Sequence, residues 1–580
     1  MSPVLVASLA LLAYIGGYRY YSRWLAQKVF QLDETAITPA HAQRDGVDFI
    51  PTRPIVLFGH HYASIAGLAP MLGPAVAVFW GWLPALCWVV FGSLLIGCVH
   101  DFSALVLSSR HGGRSIGGLC EDILGPEAKA LFLALIFFGV SLAMGVFVYV
   151  ISLLFTWGED FHPEALHRSV TSFPEVVMPS AMLMVLAMAV GWLLYKKNFP
   201  LLPVALGGFS LLLTLIGLGY LFPTLGFHQE QWPQQSSWIW ILMAYAWAAS
   251  VLPVWLLLQA RDFLNSLLLI LGLILMYTGF FLQNPVFEAP ALNPHPDGAP
   301  PLLPFVFITI ACGAASGFHA LVASGTTAKQ LDKETHARPI GYGGMIAESL
   351  LALIAVLACT TTLGGKAAWA KVYVNWSAVQ GLGAKLGIFI QGAASFIEAL
   401  GIPKDLAVTM VAMVVVSFAL TTLDSATRLL RFNLEEIGDA FGKTRWGKPL
   451  SILSHRFAST SVACSTILFF AFYEIEGKPA GLALWQLFGG TNQLIAGLAL
   501  VTASVYLKKR GRRIWPLVIP AIYMIGMTLS ALSLKLRDFW QQGQSLLFIL
   551  SLLLLLVGLS VVGIALRVWN QPMPSAPSAP

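Results

Sequence analysis

Fifteen predominantly apolar stretches, most near twenty residues long, alternate with short polar connections, and this alternation constrains the chain more than any other feature. A helix of about 20 apolar residues crosses a hydrocarbon core of roughly 30 Å, and in lipid its backbone groups can pair only with each other. The stretches are 3–18, 55–75, 81–108, 128–157, 177–195, 199–222, 238–258, 263–282, 302–326, 341–363, 405–425, 453–473, 482–507, 514–534 and 545–567. Charged residues make up 11% of the 580, far below what a water-facing surface carries. The 36 Phe, 18 Trp and 15 Tyr are too many for a disordered chain. The expected fold is an all-α polytopic membrane protein of about fifteen transmembrane helices.

An odd number of spans puts the termini on opposite sides, and the loops indicate which. With residues 19–54 in the cytoplasm, 26 of the 34 Lys and Arg fall inside, including Arg110, Arg114, Lys196, Lys197, Lys329, Lys333, Arg338, Arg428, Arg431, Lys443, Arg445, Lys448 and the 508–513 cluster. Glu159, Asp160, Glu164, Glu175, Glu288, Asp297, Glu474 and Glu476 fall outside. The positive-inside rule then places the N-terminus outside and the C-terminus in the cytoplasm. The net charge of +6 is spread over loops, not gathered on one continuous face, so nucleic acid is not an expected partner. The six cysteines show no C-x-x-C spacing and read as buried thiols. Residues 4–15 lack a basic n-region and a cleavage site, which points to a retained helix. The tail 571–580 is a Pro/Ser/Ala string expected to be disordered.

One pattern recurs. Residues 59–67 (GHHYASIAG) and 317–325 (GFHALVASG) both read Gly-x-His-x5-Gly, on the second and ninth stretches. Seven spans apart, the two helices run in opposite directions. Inverted repeats with interrupted helices are the architecture of alternating-access carriers, whose substrates bind where freed backbone groups meet. Gly59, Gly67, Gly73 and Pro74, and Gly313, Gly317 and Gly325, permit such breaks; small residues equally permit close helix packing. His61 and His319 would then be repeat equivalents lining a central cavity.

Ionisable groups at membrane depth usually line a pathway. Here they are His60, His61, His100, Asp101, His319, Glu348 and Asp424. Histidine titrates near neutral pH and suits proton coupling, while a neutral ring donating to a carbonyl is the plain structural alternative. His60, His61, His100, Asp101 and His319 are metal-ligand types, but no HxxxH or HExxH spacing groups them, so no metal or other cofactor is expected. Asp101 can pair with an arginine of the following loop, and Asp424 with Arg428 four residues on. Thr421 and Thr422 could hold a small hard cation or back-bond to their own helix. Asn492 and Gln493 are uncharged but need partners at that depth.

RDGVDFIPTRPIVLFGHHYASIAGLAPMLGP, VHDFSALVLSSRHGGRSIGGL, CGAASGFHALVASGTTAKQL, IGYGGMIAESLLAL, TTLDSATRLLRF and FGGTNQLIAGLAL, in that order, closely resemble the carbon starvation protein A family over about residues 45–510. The resemblance implies a bacterial inner-membrane transporter of the amino acid–polyamine–organocation superfamily with a LeuT-like inverted-repeat core and extra helices, taking up peptides or pyruvate. It implies a transporter domain over 1–510 with core spans within 55–507, inserted spans at 238–282, an extracellular lid at 364–404, and a C-terminal helix pair within 511–570. The pyruvate carriers imply proton coupling; TTLDSATR also resembles the sodium-site stretch of sodium–solute symporters, so sodium stays open. Gly67-Leu68-Ala69-Pro70 departs from the family's GAGP, which bears on the substrate rather than the fold.

An enzyme is disfavoured because no GxSxG-like nucleophile motif occurs. A channel is disfavoured because the repeat lies inverted within one chain instead of forming a ring. A primary pump is excluded by the lack of a GxxxxGK[ST] loop. Composition is silent on oligomeric state.

Overall fold

The computed structural model describes residues 1–158, 161, 171–379, 381–441, 448–475 and 477–571. Glu159, Asp160, Glu164, Lys443, Arg445, Glu476 and the tail from 572 lie outside the described residues. Helix α1 (Pro3–Phe30) is followed by α2 (Pro54–Ile65), α3 (Ala69–Trp80), α4 (Trp82–Arg110), α5 (Pro126–Phe155), α6 (Pro174–Tyr195) and α7 (Leu201–Leu221). Next come α8 (Gln235–Val251), α9 (Leu258–Gln283), α10 (Leu302–Thr309), α11 (Gly317–Val322) and α12 (Glu334–Thr361). The chain ends with α13 (Leu382–Glu398), α14 (Lys404–Phe441), α15 (Arg456–Phe472), α16 (Ala480–Lys509), α17 (Trp515–Gln541) and α18 (Ser545–Trp569).

Among the described residues, eleven helices are long and apolar enough to cross a membrane, or twelve if the bent pair α2–α3 is one span. The expected count of fifteen is therefore not matched by continuous helices. The remaining expected stretches are α8 and α15, each 17 residues long, and the interrupted α10–α11.

Burial follows position in the bundle. Leucines are exposed on α1 (Leu5, Leu9, Leu12), α7 (Leu202, Leu206) and α18 (Leu553, Leu556). In water such an array would be a liability; against lipid it is the outer wall. The middle of α14 is buried on every side, from Val411 through Leu430. This helix packs against α5, α8, α9 and α13. The α9 helix, in the stretch expected as an insertion, lies directly along α2. Gly59 allows that approach, since a Cβ there would fall 2.6 Å from Ser266 Oγ and 3.2 Å from Phe263 Cα. Gly325 likewise leaves room for the Leu429 side chain.

Candidate functional site

Two helices are interrupted. Between α2 and α3 the chain leaves helical geometry at Ala66 (ψ 71°) and bends by 47°. Thr421 Oγ1 donates to the Ala63 carbonyl at 3.0 Å and Thr422 Oγ1 to the Ser64 carbonyl at 3.4 Å, so two hydroxyls of α14 satisfy carbonyls freed at the end of α2. Gly67 faces the same threonine; a Cβ would stand 2.8 Å from Thr422 Oγ1.

The second break, over 310–316, is held by four side chains. Trp88 Nε1 donates to the Ile310 carbonyl at 2.9 Å. Gln493 Nε2 donates to the Phe307 carbonyl at the end of α10. Asn492 Oδ1 accepts from the Phe318 N–H at 2.9 Å, capping the start of α11, while its Nδ2 donates to Ser316 Oγ at 3.0 Å. Glu348 Oε1 accepts from the Gly313 N–H at 3.1 Å. Gly313 has φ +88°, a left-handed conformation that glycine adopts without the Cβ penalty. Gly317 lets α11 lie against the Asn492 carbonyl, where a Cβ would collide. Non-helical backbone at this depth requires such partners.

The breaks fall on opposite sides of the Gly-x-His pattern. In α2 the histidines precede the break; in α11 Gly317 and His319 follow it. Matching break to break therefore aligns Ala66-Gly67 with Cys312-Gly313, and His61 and His319 are not equivalents.

His319 anchors one polar cluster. Its Nδ1 donates to Asp101 Oδ2 at 2.8 Å, and the other carboxylate oxygen of Asp101 accepts from His100 Nδ1 at 2.8 Å. His319 Nε2 stands 3.0 Å from Glu348 Oε2 without the alignment of a hydrogen bond. The expected pairing of Asp101 with a loop arginine does not form: Arg110 turns to Glu334 at 2.5 Å, and Arg114 to Glu121 and Asp122. An internal partner wins because Asp101 is fully buried, out of reach of the loop.

A second cluster joins α2, α8, α9 and α14. His60 Nδ1 donates to Asp262 Oδ2 at 2.7 Å, and Arg261 Nη2 donates to Asp262 Oδ1 at 2.8 Å. Arg261 Nη1 reaches the Asp424 carboxylate, which also accepts from Tyr245 Oη at 2.5 Å. Arg261, Asp262 and Asp424 have no exposed side-chain surface. The expected Asp424–Arg428 pair is replaced: Arg428 Nη1 binds Asp48 at 2.8 Å, and its Nη2 donates to the Ala249 and Leu252 carbonyls. Interhelix partners prevail because both side chains are buried and each can satisfy more than one group elsewhere. Burial alone would raise the carboxyl of Asp48, which sits in the 31–53 connection, but Arg428, Lys329 and Arg431 hold it below the usual carboxylate range. The α2 helix stays regular at His60 and His61, so the two part: His61 Nδ1 hydrogen-bonds Thr327 Oγ1 at 2.9 Å and packs on Gly344.

A cavity of about 580 Å³ opens at the end of the bundle formed by connections 284–301, 364–381 and 541–545. Its wall includes Gly73, Thr309, Trp376, Phe488 and Lys535, and it reaches down to Ala69 and Cys312. Directly below, a space of about 30 Å³ is bordered by Gly67 and Ala69 from one break and by Cys312, Phe318 and Asn492 from the other, with Thr422 beside them. Neither His61 nor His319 lines either space, contrary to expectation, because both rings turn inward to partners between helices. Sequence reasoning did not single out Arg261, Asp262, Tyr245 or Cys312; the adjacent Arg-Asp between two apolar runs was the available signal.

These features define a multi-pass helical membrane protein whose two interrupted helices meet under a cavity. The profile described as "Carbon starvation protein CstA" matches residues 2–372 and 367–531. The chain belongs to that family. It is 34% identical to the peptide transporter CstA of Mycobacterium tuberculosis (strain ATCC 25618 / H37Rv), over 89% of this chain and 73% of that one. It is 32% identical to the pyruvate/proton symporter BtsT of Escherichia coli K12 (91% and 80%), and 30% identical to the peptide transporter CstA of Bacillus subtilis 168 (98% and 97%). Solved structures it resembles include a manganese transporter of Eremococcus coleocola (12% identity, TM-score 0.43, 90% of this chain and 97% of that one) and MhsT with L-phenylalanine (14%, 0.42, 88% and 99%). The relatives are transporters, and this chain is a membrane transporter rather than an enzyme.

Proposed function

We propose that the protein is a secondary active transporter that takes up a small carboxylate-bearing nutrient, pyruvate or a short peptide, by alternating access in a LeuT-like core of the bacterial inner membrane. The observation that carries this reading is the meeting of the two helix breaks at the floor of the 580 Å³ cavity. That volume suits a small organic solute. Among the described residues on its wall there is no carboxylate, while Lys478 and Lys535 both contribute. A cationic wall favours an anionic solute or a peptide C-terminus. In this reading the cavity faces outward, residues 364–404 form its lid, the N-terminus lies outside and the C-terminus in the cytoplasm. Trp376 in that lid packs on Phe79 and Trp80 at the end of α3, so lid movement and the first break are mechanically linked.

The coupling ion is a proton carried by the His60–Asp262–Arg261–Asp424 group. Two carboxylates face one guanidinium there, with the uncharged Tyr245 and Ser64 hydroxyls beside them, so the group is one positive charge short while His60 is neutral. A buried uncompensated charge is costly, and a proton on His60 removes it. His60 sits on α2 just before the break, and Ser64, one turn on, also donates to Asp262 at 3.4 Å. Proton occupancy is thereby tied to the geometry of the break. Sodium is the second reading: the Ala63 and Ser64 carbonyls with the Thr421 and Thr422 hydroxyls form an oxygen set suited to a hard cation. Counterflow by purified protein in liposomes tests the carrier mechanism. Labelled pyruvate or dipeptide should accumulate against unlabelled solute inside; equilibration without overshoot for every solute in both classes contradicts it.

A further inference from the structure

We infer that Cys312, His319 and Glu348 form a binding site for a zinc-class divalent ion at the second helix break. Cys312 Sγ, a ring nitrogen of His319 and a Glu348 oxygen lie within 4.8 Å of one another, and all three residues are buried. Among the described residues no other group of His, Cys, Asp and Glu comes together in this way. The set shares only His319 with the ligand-type residues His60, His61, His100, Asp101 and His319 noted in the sequence.

Three independent features point to a metal. First, His319 donates its Nδ1–H to Asp101, which leaves the Nε2 lone pair facing Glu348 Oε2 at 3.0 Å. Both atoms lack a hydrogen-bond partner and are buried. Two acceptors held face to face repel each other unless a proton or a metal ion lies between them, and a metal ion is the occupant that also engages the neighbouring Cys312 sulfur. Second, Glu348 Oε1 is fixed by the Gly313 N–H and His319 is oriented by Asp101, itself bound to His100. A carboxylate behind a histidine ligand is the outer-shell arrangement that sets the ring's tautomer and basicity at zinc sites. Third, the thiolate, imidazole and carboxylate are the zinc donor types, and three of them leave a fourth position open. Tetrahedral bonds of about 2.0–2.3 Å set ligand separations of roughly 3.3–3.8 Å. His319 Nε2 and Glu348 Oε2 stand 3.0 Å apart and all three ligand atoms lie within 4.8 Å, so a small adjustment of the side chains would seat an ion. Access exists: Cys312 lines both the 580 Å³ cavity and the small space beneath it. A bound ion would tie the unwound 310–316 segment to α12.

The test measures binding rather than uptake, so its failure is separate from failure of the transport reading. Full-length protein in detergent is titrated with Zn²⁺ alone, alongside Cys312→Ser and Glu348→Gln. One Zn²⁺ per chain is expected, with affinity at least tenfold weaker in each variant. Zinc-edge X-ray absorption of the wild type should show one sulfur neighbour, and this readout holds even where a variant fails to fold. Binding that is unchanged in folded Cys312→Ser, or a wild-type spectrum without sulfur, overturns the proposal.

Discussion

His60 Nδ1 lies 2.7 Å from Asp262 Oδ2, joining the interrupted helix α2 to α9 through two side chains with no exposed surface. Arg261, the neighbour of Asp262, extends the link to Asp424 on α14. Three helices thus share one buried charge group beside the first break, and the proposed proton coupling rests on this group.

Replacing His60 by Gln, which keeps a side chain of similar reach but cannot carry a proton, should reduce proton-driven uptake at least about tenfold, the scale of a 1.4 kcal/mol effect. Counterflow, which needs no net proton movement, should survive in the same variant. Loss of both would make His60 a purely structural residue.

Arg261→Met should be the most destabilising change in this group. It leaves Asp262 and Asp424 buried with no guanidinium, and breaking a buried ion pair from one side costs about 3–5 kcal/mol. Thermal unfolding in detergent measures it. The double change Arg261→Met with Asp424→Asn should recover part of the loss, because one of the stranded charges is removed with its partner.

The positions of the apolar stretches were legible in the sequence because lipid demands apolar side chains along each span. Several ends were not: α1 runs on to Phe30 and α14 to Phe441, well past the expected 18 and 425, because polar residues that continue a helix beyond the apolar run carry no hydropathy signal. Both interrupted helices were legible, since Gly67, Gly313 and Gly317 stand where the breaks occur. Pairing was not. Asp424 has Arg428 four residues away, yet binds Arg261, 163 positions earlier; periodicity reports the face a residue occupies and not what meets it there. Arg261-Asp262 read as a connection because two apolar runs flank it, and it is the packing of α9 against α2, α8 and α14 that buries it. The Gly-x-His pattern located the right helices but in a register that the breaks do not share.

Asn492→Ala should weaken the second break. It removes the acceptor for the Phe318 N–H and the donor to Ser316, leaving buried groups unpaired at about 1–3 kcal/mol each. The expected result is a lower melting temperature together with a raised KM for the transported solute, because Asn492 also borders the space between the breaks.

Asp48→Asn tests the charge layer near the other end of α14. Arg428 and its neighbours hold the Asp48 carboxyl below its ordinary value, so its contribution to stability is complete above the unfolded-state value of about 3.9 and is lost as pH falls through the lower folded-state value. Asp48→Asn should be less stable than the parent at pH 7. The difference should shrink on acidification below about pH 4, as read from melting temperatures across a pH series.

The most direct measurement is uptake of labelled pyruvate and dipeptides into liposomes containing the purified protein, at fixed membrane potential, with proton and sodium gradients imposed separately. An inward proton gradient should drive accumulation of at least one of these solutes without sodium, and the His60→Gln protein should lose that response. Strict dependence on sodium, with no response to the proton gradient, would contradict proton coupling through His60 and Asp262.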